Sequence, residues 1–485
     1  MYFPSKSDFI KKSKQANLIP VYKEIFADFL TPLSAYKKIE HSNSFLFESV
    51  EGGEKIARYS FLGSDPSLVF LVKGDKITVK KKSKKQIITS KDPFGYLKKF
   101  MGGFKPAKVK GLPRFYGGLV GYIGYDCIRF FEKMPNACRD DLKLHDAVLM
   151  LTDTILIFDH LTRKLKIVSN VCIEEKNTKA LQKQYTQAIS KIEGIIAKLD
   201  KPLKETTSLL IKTVTQPKPL SNFTKTGFKK AILKAEEYIK KGDIIQVVLS
   251  QRFEAKFKKD PIDVYRALRS INPSPYMFYL ALGKIKLVGS SPEVMVRSEN
   301  GVATVRPIAG TRKRGLNKKQ DNVLAKELLS DEKERAEHLM LVDLARNDLG
   351  RIAKSGTVKV AEFMVIEKYS HVMHIVSECT GILKANKTSF DVLRACFPAG
   401  TVSGAPKIRA MEIIDELESV KRGPYAGCVG YFSFTGNMDT CITIRTILIK
   451  GHTAYVQAGA GIVADSSPGP EFKETQKKQL LCLRR

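Results

Sequence analysis

The sequence has no long apolar run, and this absence limits where the chain can reside. No stretch approaches the roughly 18 to 20 apolar residues that a membrane span needs. Residues 1–20 mix Lys, Ser, Asp and Gln with apolar residues and contain no continuous apolar segment of the signal-peptide type. We therefore expect neither membrane association nor a targeting segment.

Cysteine pairs of the kinds that bind zinc or build disulfide frameworks are also absent. The eight cysteines form no Cys-x-x-Cys pair and have no short ligand spacing with the seven histidines. Tryptophan is missing altogether, which drift in composition is enough to explain. The cysteine pattern favours a reducing, cytoplasmic location.

Acidic residues are few relative to basic ones, with 50 Asp+Glu against 82 Lys+Arg and a net charge of +32. This balance raises a basic nucleic-acid-binding protein as an alternative. The charge is scattered, however, and clusters such as residues 80–85 lie between short apolar runs, as is typical of solvated hairpin tips. No recognition helix, zinc module or interleaved aromatic motif accompanies them. We therefore expect no nucleic-acid partner; salt-sensitive retention on DNA would favour the alternative.

The first part of the chain is predicted to be rich in strands. Short apolar or alternating runs broken by Gly, Asp, Asn and Pro are typical of strands. They lie at Ser44–Ser49, Tyr59–Leu62, Leu68–Val72, Gly117–Tyr122, Ala147–Phe158 and Lys164–Val168. A helical period follows at Thr178–Leu199, and residues 200–226 have the composition of a linker.

The second part is predicted to alternate strands and helices. Thr226 is the expected N-cap of a helix that ends at Gly242, and residues 243–252 form a strand that carries Gln246 among apolar residues. A helix over Asp331–Asn347 follows, with Asp331 and Glu334 at capping-box spacing. The other predicted elements are strands at Lys284–Gly289, Glu293–Arg297, Ala303–Pro307, Gly430–Phe434, Thr440–Thr446 and Ala454–Gly459 and a helix at Gly469–Leu483.

Two pairs of glutamates share one spacing on these helices. Glu334 and Glu337 are three residues apart, as are Glu471 and Glu474, so each pair projects from one side of its helix. Four carboxylates from two helices can bind Mg²⁺, a cation that prefers oxygen ligands. On a lysine-rich helix the same spacing is also typical of a solvated surface, and the spacing alone leaves both interpretations open.

Residues 397–407 read Phe-Pro-Ala-Gly-Thr-Val-Ser-Gly-Ala-Pro-Lys. The glycines of this segment allow the backbone to approach a ligand closely, and Thr401, Ser403 and Lys407 could surround a small anion. Together with six other segments, this segment resembles the signature of the chorismate-utilising enzymes. The other segments are Lys333–His338, Pro470–Glu474, Gly289–Glu293, Arg306–Thr311, His371–His374 and Gln457–Ile462. The resemblance covers nearly all of residues 226–477 and is strongest toward the large subunits (component I) of anthranilate synthases.

The resemblance implies a set of site residues. Glu293 matches the general acid that protonates the departing ring hydroxyl, and His374 matches a histidine implicated in the later loss of pyruvate. The four glutamates match those that hold Mg²⁺ against the ring carboxylate of chorismate. The catalytic set is completed by Thr401 and Gln246, and the substrate-binding set is Gly310, Thr311, Tyr425, Arg445, Gly459, Gly461 and Lys473.

Two positions distinguish members of the family. Isochorismate and salicylate synthases carry a basic Lys where this chain has Gln246, and an amide does not accept a proton at neutral pH. Aminodeoxychorismate synthases typically carry a nucleophilic Lys where this chain has Ala309. The resemblance therefore implies a lyase that uses ammonia to convert chorismate to anthranilate and pyruvate through 2-amino-2-deoxyisochorismate, the first step of tryptophan biosynthesis. Component I of aminodeoxychorismate synthase, in the folate pathway, is the alternative.

The N-terminal motifs imply regulation and a fold. Phe45–Glu54 and Arg58–Gly63, together with Asn272–Met277, resemble the tryptophan inhibitor site of the large subunits, which here would contain Glu48, Ser49, Pro275, Tyr276 and Met277. The implied fold is an α+β sandwich of two sheets with helices outside. It comprises a regulatory region at 15–170, a helix and linker at 171–225 and a catalytic domain at 226–477. No Gly-x-Cys-x-Gly nucleophile elbow is present, so the implied partner is a separate glutamine amidotransferase subunit (component II), in a heterotetramer.

Overall fold

Two large antiparallel sheets organise the chain in a computed structural model that describes residues 1–49, 58–203, 219–369 and 372–483, with side chains to residue 479. The first sheet has 13 strands. Numbered in chain order and given in their order across the sheet, they are β1 (Tyr2–Phe3), β2 (Leu18–Phe26), β11 (Lys164–Cys172), β10 (Thr154–Asp159), β4 (Tyr59–Ser64), β3 (Asn43–Glu48), β14 (Tyr276–Leu282), β15 (Ile285–Ser291), β24 (Thr446–Lys450), β25 (Thr453–Ile462), β13 (Gln246–Lys256) and β12 (Leu220–Ser221), with β21 (Gly404–Ala405) on β13.

The second sheet has 12 strands. They are β18 (Ile308–Lys313), β20 (Val372–Ile382), β17 (Val302–Val305), β16 (Val294–Glu299), β23 (Met438–Ile442), β22 (Cys428–Ser433), β8 (Gly118–Ile123), β9 (Ala147–Thr152), β5 (Leu68–Lys73), β6 (Lys76–Lys81) and β7 (Lys84–Thr89), with β19 (Lys359–Lys368) on β20. The lysine cluster at 80–85 is the tip of the β6–β7 hairpin, as the sequence predicted.

Helices cover the outer faces of both sheets. They are α1 (Lys6–Lys12), α2 (Pro32–Ile39), α3 (Pro93–Gly102), α4 (Thr178–Leu199), α5 (Lys225–Lys240), α6 (Pro261–Ile271), α7 (Lys318–Ser330), α8 (Glu332–Gly350), α9 (Ser389–Cys396), α10 (Lys407–Leu417) and α11 (Pro468–Leu483), with 3₁₀ turns at Tyr125–Phe130 and Gly400–Val402. Among the described residues, no helix is long and apolar enough to span a membrane.

An apolar core lies between the two sheets. It combines Phe61 and Phe278 of the first sheet with Val120, Met150 and Tyr431 of the second. Distant parts of the chain pair directly, since β3 lies beside β14 and β8 lies beside β22. The expected α+β sandwich, with a core drawn from both halves of the sequence, is confirmed.

Two predicted strands are each two strands in the structure. The run 147–158 breaks at Asp153 into β9 and β10, which lie in different sheets, and 440–446 spans the end of β23 and the start of β24. Nearly every residue of β9 and β10 is buried, so the apolar pattern carries no signal where the chain crosses between sheets.

Helix ends follow local hydrogen bonds. Thr226 is not the N-cap of α5, because the side chain of Thr224 accepts the Gly227 N–H instead. Asp331 does cap α8, as predicted, by accepting the Glu334 N–H at 3.1 Å. Most of the predicted linker, 204–218, lies outside the described residues, as do His371 in one quoted motif and residues 50–54 in another.

Candidate active site

A buried carboxyl group lies at a crossing between the sheets. Glu293 lies two residues after the end of β15 and directly before β16, and it is 8% exposed. The Thr401 hydroxyl donates a hydrogen bond to Glu293 Oε1 at 3.0 Å. Burial raises the Glu293 pKa to about 8, even though Thr401 and the positive charge of Arg445 act in the opposite direction. At neutral pH the carboxyl is mostly protonated, which suits a proton donor.

Arg445 lies at a second crossing, between β23 and β24. Its backbone has φ of +48°, a conformation in which L-residues are uncommon, and its carbonyl accepts the Ser290 N–H at 3.2 Å. The positive charge lowers the pKa of both Glu293 and His374, so the guanidinium lies near both groups. Arg445 can therefore attract a carboxylate into the space between them.

His374 of β20 is held by its Nδ1 atom. Nδ1 lies 2.8 Å from the Gly310 carbonyl oxygen and 3.1 Å from Thr311 Oγ1. Burial, chiefly, lowers the His374 pKa, so the neutral ring dominates. Because Nδ1–H donates to a carbonyl, Nε2 is the proton-accepting atom. Gly310 has φ of +67°, which explains why glycine occupies the position that orients this ring.

The 397–407 segment contributes only part of what its sequence suggested. Thr401 contacts Glu293, but Ser403 is fully buried and donates to the Ala399 carbonyl at 2.8 Å. Lys407 pairs with Asp348 at 2.7 Å and donates to the Cys396 carbonyl. The expectation that Ser403 and Lys407 surround an anion is therefore wrong, because Ser403 bonds within the segment and Lys407 connects it to α8 and α9.

Gln246 begins β13 beside two glycines of the paired strand β25. Gln246 Nε2 donates to Glu337 Oε1 at 3.2 Å, whereas its Oε1 atom is buried with no hydrogen-bond partner among the described residues. A Cβ atom at Gly461 would lie 2.6 Å from Gln246 Nε2, and one at Gly459 would lie 2.7 Å from the Tyr425 hydroxyl. Close neighbours thus leave no room for a side chain at either glycine.

The four glutamates lie on α8 and α11 near this strand pair. Burial raises the pKa of Glu337, and repulsion from Glu334 and Glu474 adds to the increase. Burial also raises the pKa of Glu471, with Glu474 again contributing. Within the part of the chain that the structure describes, no three His, Cys, Asp or Glu side chains already lie close enough to chelate a metal ion. The group is therefore a set of mutually repelling acids rather than a finished coordination sphere.

Two cations hold members of this set in the structure. Arg312 contacts Glu334 at 3.1 Å and also pairs with Glu327 and Asp331. Lys478 pairs with Glu474 at 2.6 Å and donates to the Gly459 carbonyl at 3.0 Å.

A second cavity lies between the sheets, away from Glu293. It encloses about 580 Å³, counting the part open to solvent, and its walls include all five residues of the expected inhibitor site. Glu48 there accepts a hydrogen bond from Tyr265 at 2.5 Å and pairs with Arg269 at 3.4 Å. On another wall, Asp439 is flanked by Arg114 at 3.0 Å and Arg297 at 3.3 Å.

Comparison with known proteins matches this architecture to one family. The model of chorismate binding enzymes matches residues 42–483. The chain belongs to the chorismate binding enzymes. It is 49% identical to anthranilate synthase component 1 of Acetivibrio thermocellus, over 100% of this chain and 98% of that protein. It is 48% identical to component 1 of Aquifex aeolicus, over 96% and 94% of the two chains.

Solved structures of chorismate binding enzymes share the fold. Anthranilate synthase component I from Streptococcus pneumoniae TIGR4 superposes with a TM-score of 0.78 at 36% identity, covering 95% of this chain and 99% of that one. The menaquinone-specific isochorismate synthase of Escherichia coli has a TM-score of 0.72 at 20% identity, covering 99% of each chain, a likeness of fold alone.

One lysine beside the four glutamates was not predicted from the sequence. Lys473, which the motif match selected and which stays a prediction, is exposed on α11, as is Lys478. Lys478 lies on the same helix and is the lysine that reaches Glu474 and the Gly459 carbonyl. The signal was available in the sequence, because Glu474 and Lys478 are four residues apart and face the same side of the helix. Of the two lysines, the geometry thus brings Lys478 to the carboxylates and Gly459.

Proposed function

We propose that this chain is the synthase component of an anthranilate synthase, which converts chorismate and ammonia to anthranilate and pyruvate through 2-amino-2-deoxyisochorismate. The observation that carries the proposal is Glu293, a buried carboxyl group that is mostly protonated at neutral pH, held by Thr401 within reach of the positive charge of Arg445. The full-length similarity to anthranilate synthase component 1 of several bacteria supports the same reaction.

The described residues have distinct tasks in this reaction. Glu293 donates its proton to the departing ring hydroxyl, which leaves as water while the nitrogen of ammonia bonds to the ring. The added nitrogen then releases a proton, and Glu293 can be protonated again. His374, neutral and with Nε2 available, accepts a proton in the later step that expels pyruvate. Arg445, Tyr425, Thr311 and the backbone at Gly310, Gly459 and Gly461 hold the substrate carboxylates.

The proposal that ammonia is the attacking molecule rests on two side chains that supply neither a base nor a nucleophile. Gln246 cannot remove a proton from water, and its donor group is occupied by Glu337. Ala309 of β18 is buried and offers no nucleophile. An attacking molecule must therefore be nucleophilic without help from either residue, which ammonia is. These residues favour the proposed reaction over those of isochorismate synthases and aminodeoxychorismate synthases.

The carboxylates fit a magnesium ion as cofactor. Glu334, Glu337, Glu471 and Glu474 supply only oxygen donors, and burial together with repulsion between neighbouring acids raises the pKa values of Glu337 and Glu471, so added positive charge would favour their ionised forms. Bound Mg²⁺ would supply that charge and attract the ring carboxylate of chorismate to the site. Arg312 and Lys478 would keep Glu334 and Glu474 oriented toward it.

The name component 1 of the relatives implies a second component. We propose a glutamine amidotransferase subunit that supplies ammonia, in a heterotetramer located in the cytoplasm. We also propose that the chain is divided into a regulatory region at 15–170, a helix and linker at 171–225 and a catalytic domain at 226–477.

The second cavity is proposed to bind L-tryptophan as a feedback inhibitor. Glu48 and Ser49 meet the polar end of the amino acid, and Pro275, Tyr276 and Met277 frame its indole. The cavity is one strand away from the active site. Tyr276 and Met277 pair across the sheet with Ser291 and Ser290, respectively. Ser290 donates to the Arg445 carbonyl, and Ser291 Oγ lies 3.4 Å from the Glu293 nitrogen, so a shift of β14 would reach both site residues.

Tryptophan is expected to inhibit the wild-type chain, and Ser49→Phe is expected to remove this inhibition while chorismate turnover is retained. The phenyl ring would fill the polar end of a cavity whose walls do not include Glu293. Inhibition curves with ammonium as nitrogen donor measure both effects. A wild type that is indifferent to millimolar tryptophan would contradict the inhibitor site but leave the proposed reaction standing.

A single assay tests the reaction. The purified chain is incubated with chorismate, Mg²⁺ and ammonium, and anthranilate is followed by its fluorescence. We expect anthranilate with ammonium, and none with glutamine in the absence of the partner subunit. Accumulation of isochorismate, or of aminodeoxychorismate without anthranilate, would refute the proposed function in favour of another family member.

A further inference from the structure

A fully buried ion pair joins three parts of the active site. Arg422 is 3% exposed and Glu418 is 4% exposed. Arg422 Nε donates to Glu418 Oε2 at 2.9 Å and Nη2 donates to Oε1 at 2.6 Å, a bidentate pair. None of the reaction steps assigned above uses either residue.

Arg422 also donates to two backbone carbonyls that belong to different site elements. Nη1 donates to the Val402 carbonyl at 2.7 Å, immediately after Thr401. Nη2 donates to the Val248 carbonyl at 2.6 Å, two residues after Gln246. Glu418 strengthens the second connection, because its Oε1 accepts both the N–H and the hydroxyl of Ser250 at 2.8 Å.

The third part of the site is reached through ring contacts. The guanidinium of Arg422 lies 5.6 Å from the ring centre of Tyr425 and 4.7 Å from that of Tyr125. The Tyr425 hydroxyl in turn lies against Gly459 of β25. One planar cation therefore fixes the spacing between the Thr401 segment, β13 and Tyr425, which a lysine ammonium cannot do because it lacks the rigid fork of donors.

We propose, on the basis of the proposed function, that Arg422 and Glu418 are positioning residues for the reaction: they hold Thr401 where its hydroxyl reaches Glu293. A lysine at position 422 would keep a positive charge opposite Glu418 but lose the rigid fork of donors, so Thr401 would move relative to Glu293. Misplacement of about 1 Å can lower a rate by about 100-fold.

The test uses Arg422→Lys, which retains a positive charge opposite Glu418. We expect kcat with ammonium to fall about 10- to 100-fold, with a smaller change in the KM for chorismate. Arg129→Lys is the matched control, because Arg129 also pairs with a buried carboxylate, Asp415, but contacts no site strand. The control is expected to change the melting temperature without changing kcat.

Two further readouts separate positioning from simple destabilisation. In a Thr401→Val background, Arg422→Lys should lower kcat by a much smaller factor, since the hydrogen bond through which it acts is already missing. In the single variant, the alkaline limb of the pH profile should move to higher pH. The hydrogen bond from Thr401 lowers the Glu293 pKa, so its loss raises that pKa. The other groups facing Glu293 are Arg445 and, across a small cavity, Arg306 and Asp348, which the substitution leaves in place.

The outcomes are distinct. A wild type that makes no anthranilate overturns the proposed function and this inference with it. Wild-type turnover combined with an unchanged kcat and pH limb in Arg422→Lys overturns the positioning role alone. Equal losses in both backgrounds also overturn it, since Arg422 would then act independently of Thr401.

Discussion

Glu293→Gln is expected to lower kcat by about 10²- to 10⁴-fold, the contribution typical of a positioned general acid. Glutamine keeps the size and the hydrogen-bond acceptor of the side chain, so Thr401 can still donate to it, but it has no proton to give to the departing hydroxyl. Anthranilate fluorescence with saturating ammonium measures the loss. Glu254→Gln, at an exposed position of β13, is the control and should retain full activity.

The same assignment fixes the direction of the pH dependence. The carboxyl donates a proton only while it is protonated, so the rate, expressed per concentration of free ammonia, should be level below about pH 8 and fall above it. Thr401→Val should shift this alkaline limb upward, because the lost hydrogen bond favoured the ionised form. A rate that rises through pH 8 on this scale would show that Glu293 is not the proton donor.

Glu337→Gln and Glu474→Gln are each expected to remove most turnover and to weaken Mg²⁺ binding at least about 100-fold. Each substitution removes one negative charge from a site whose carboxylates would bind the ion. Calorimetric titration with Mg²⁺ measures binding independently of activity. Glu332→Gln is the matched control, since Glu332 lies in the first turn of the same helix but is exposed.

The melting temperature in EDTA distinguishes loss of the metal site from loss of structure. In EDTA, Glu337→Gln should melt no lower than the wild type, because burial and neighbouring acids already disfavour the charge of Glu337. Gln246 can still donate to the amide oxygen that replaces the carboxylate. Full activity in EDTA, or in either glutamine variant, would contradict the metal assignment.

The sequence predicted those features that depend on neighbouring residues. The three-residue spacing of Glu334 and Glu337 placed both on α8, and Asp331 was recognisable as its N-cap. The Glu293 carboxyl could be proposed as an acid only through the family resemblance. Its burial depends on Thr401 and on the crossing from β15 to β16, which no local pattern records.

Other features escaped prediction for physical reasons. A strand that is buried on both faces shows no alternation, so the crossings at Asp153 and Arg445 were read as continuous strands. The polar residues of 397–407 were assigned to a ligand, whereas Ser403 donates to a carbonyl of its own segment and Lys407 bonds to Asp348 and the Cys396 carbonyl. Whether a polar side chain faces a ligand or its own backbone is decided by tertiary contacts.

The pairing of β8 with β22 has a consequence for how the chain is made. Gly121 faces Gly430, which the ribosome adds about 300 residues later, and at roughly 5–20 residues per second about 15 to 60 s pass between them. During that time the neighbours of β8 on one side do not yet exist, so the edge of a half-built sheet stays open. An open sheet edge can pair with another chain, and the second sheet can be completed only after β22 has been synthesised.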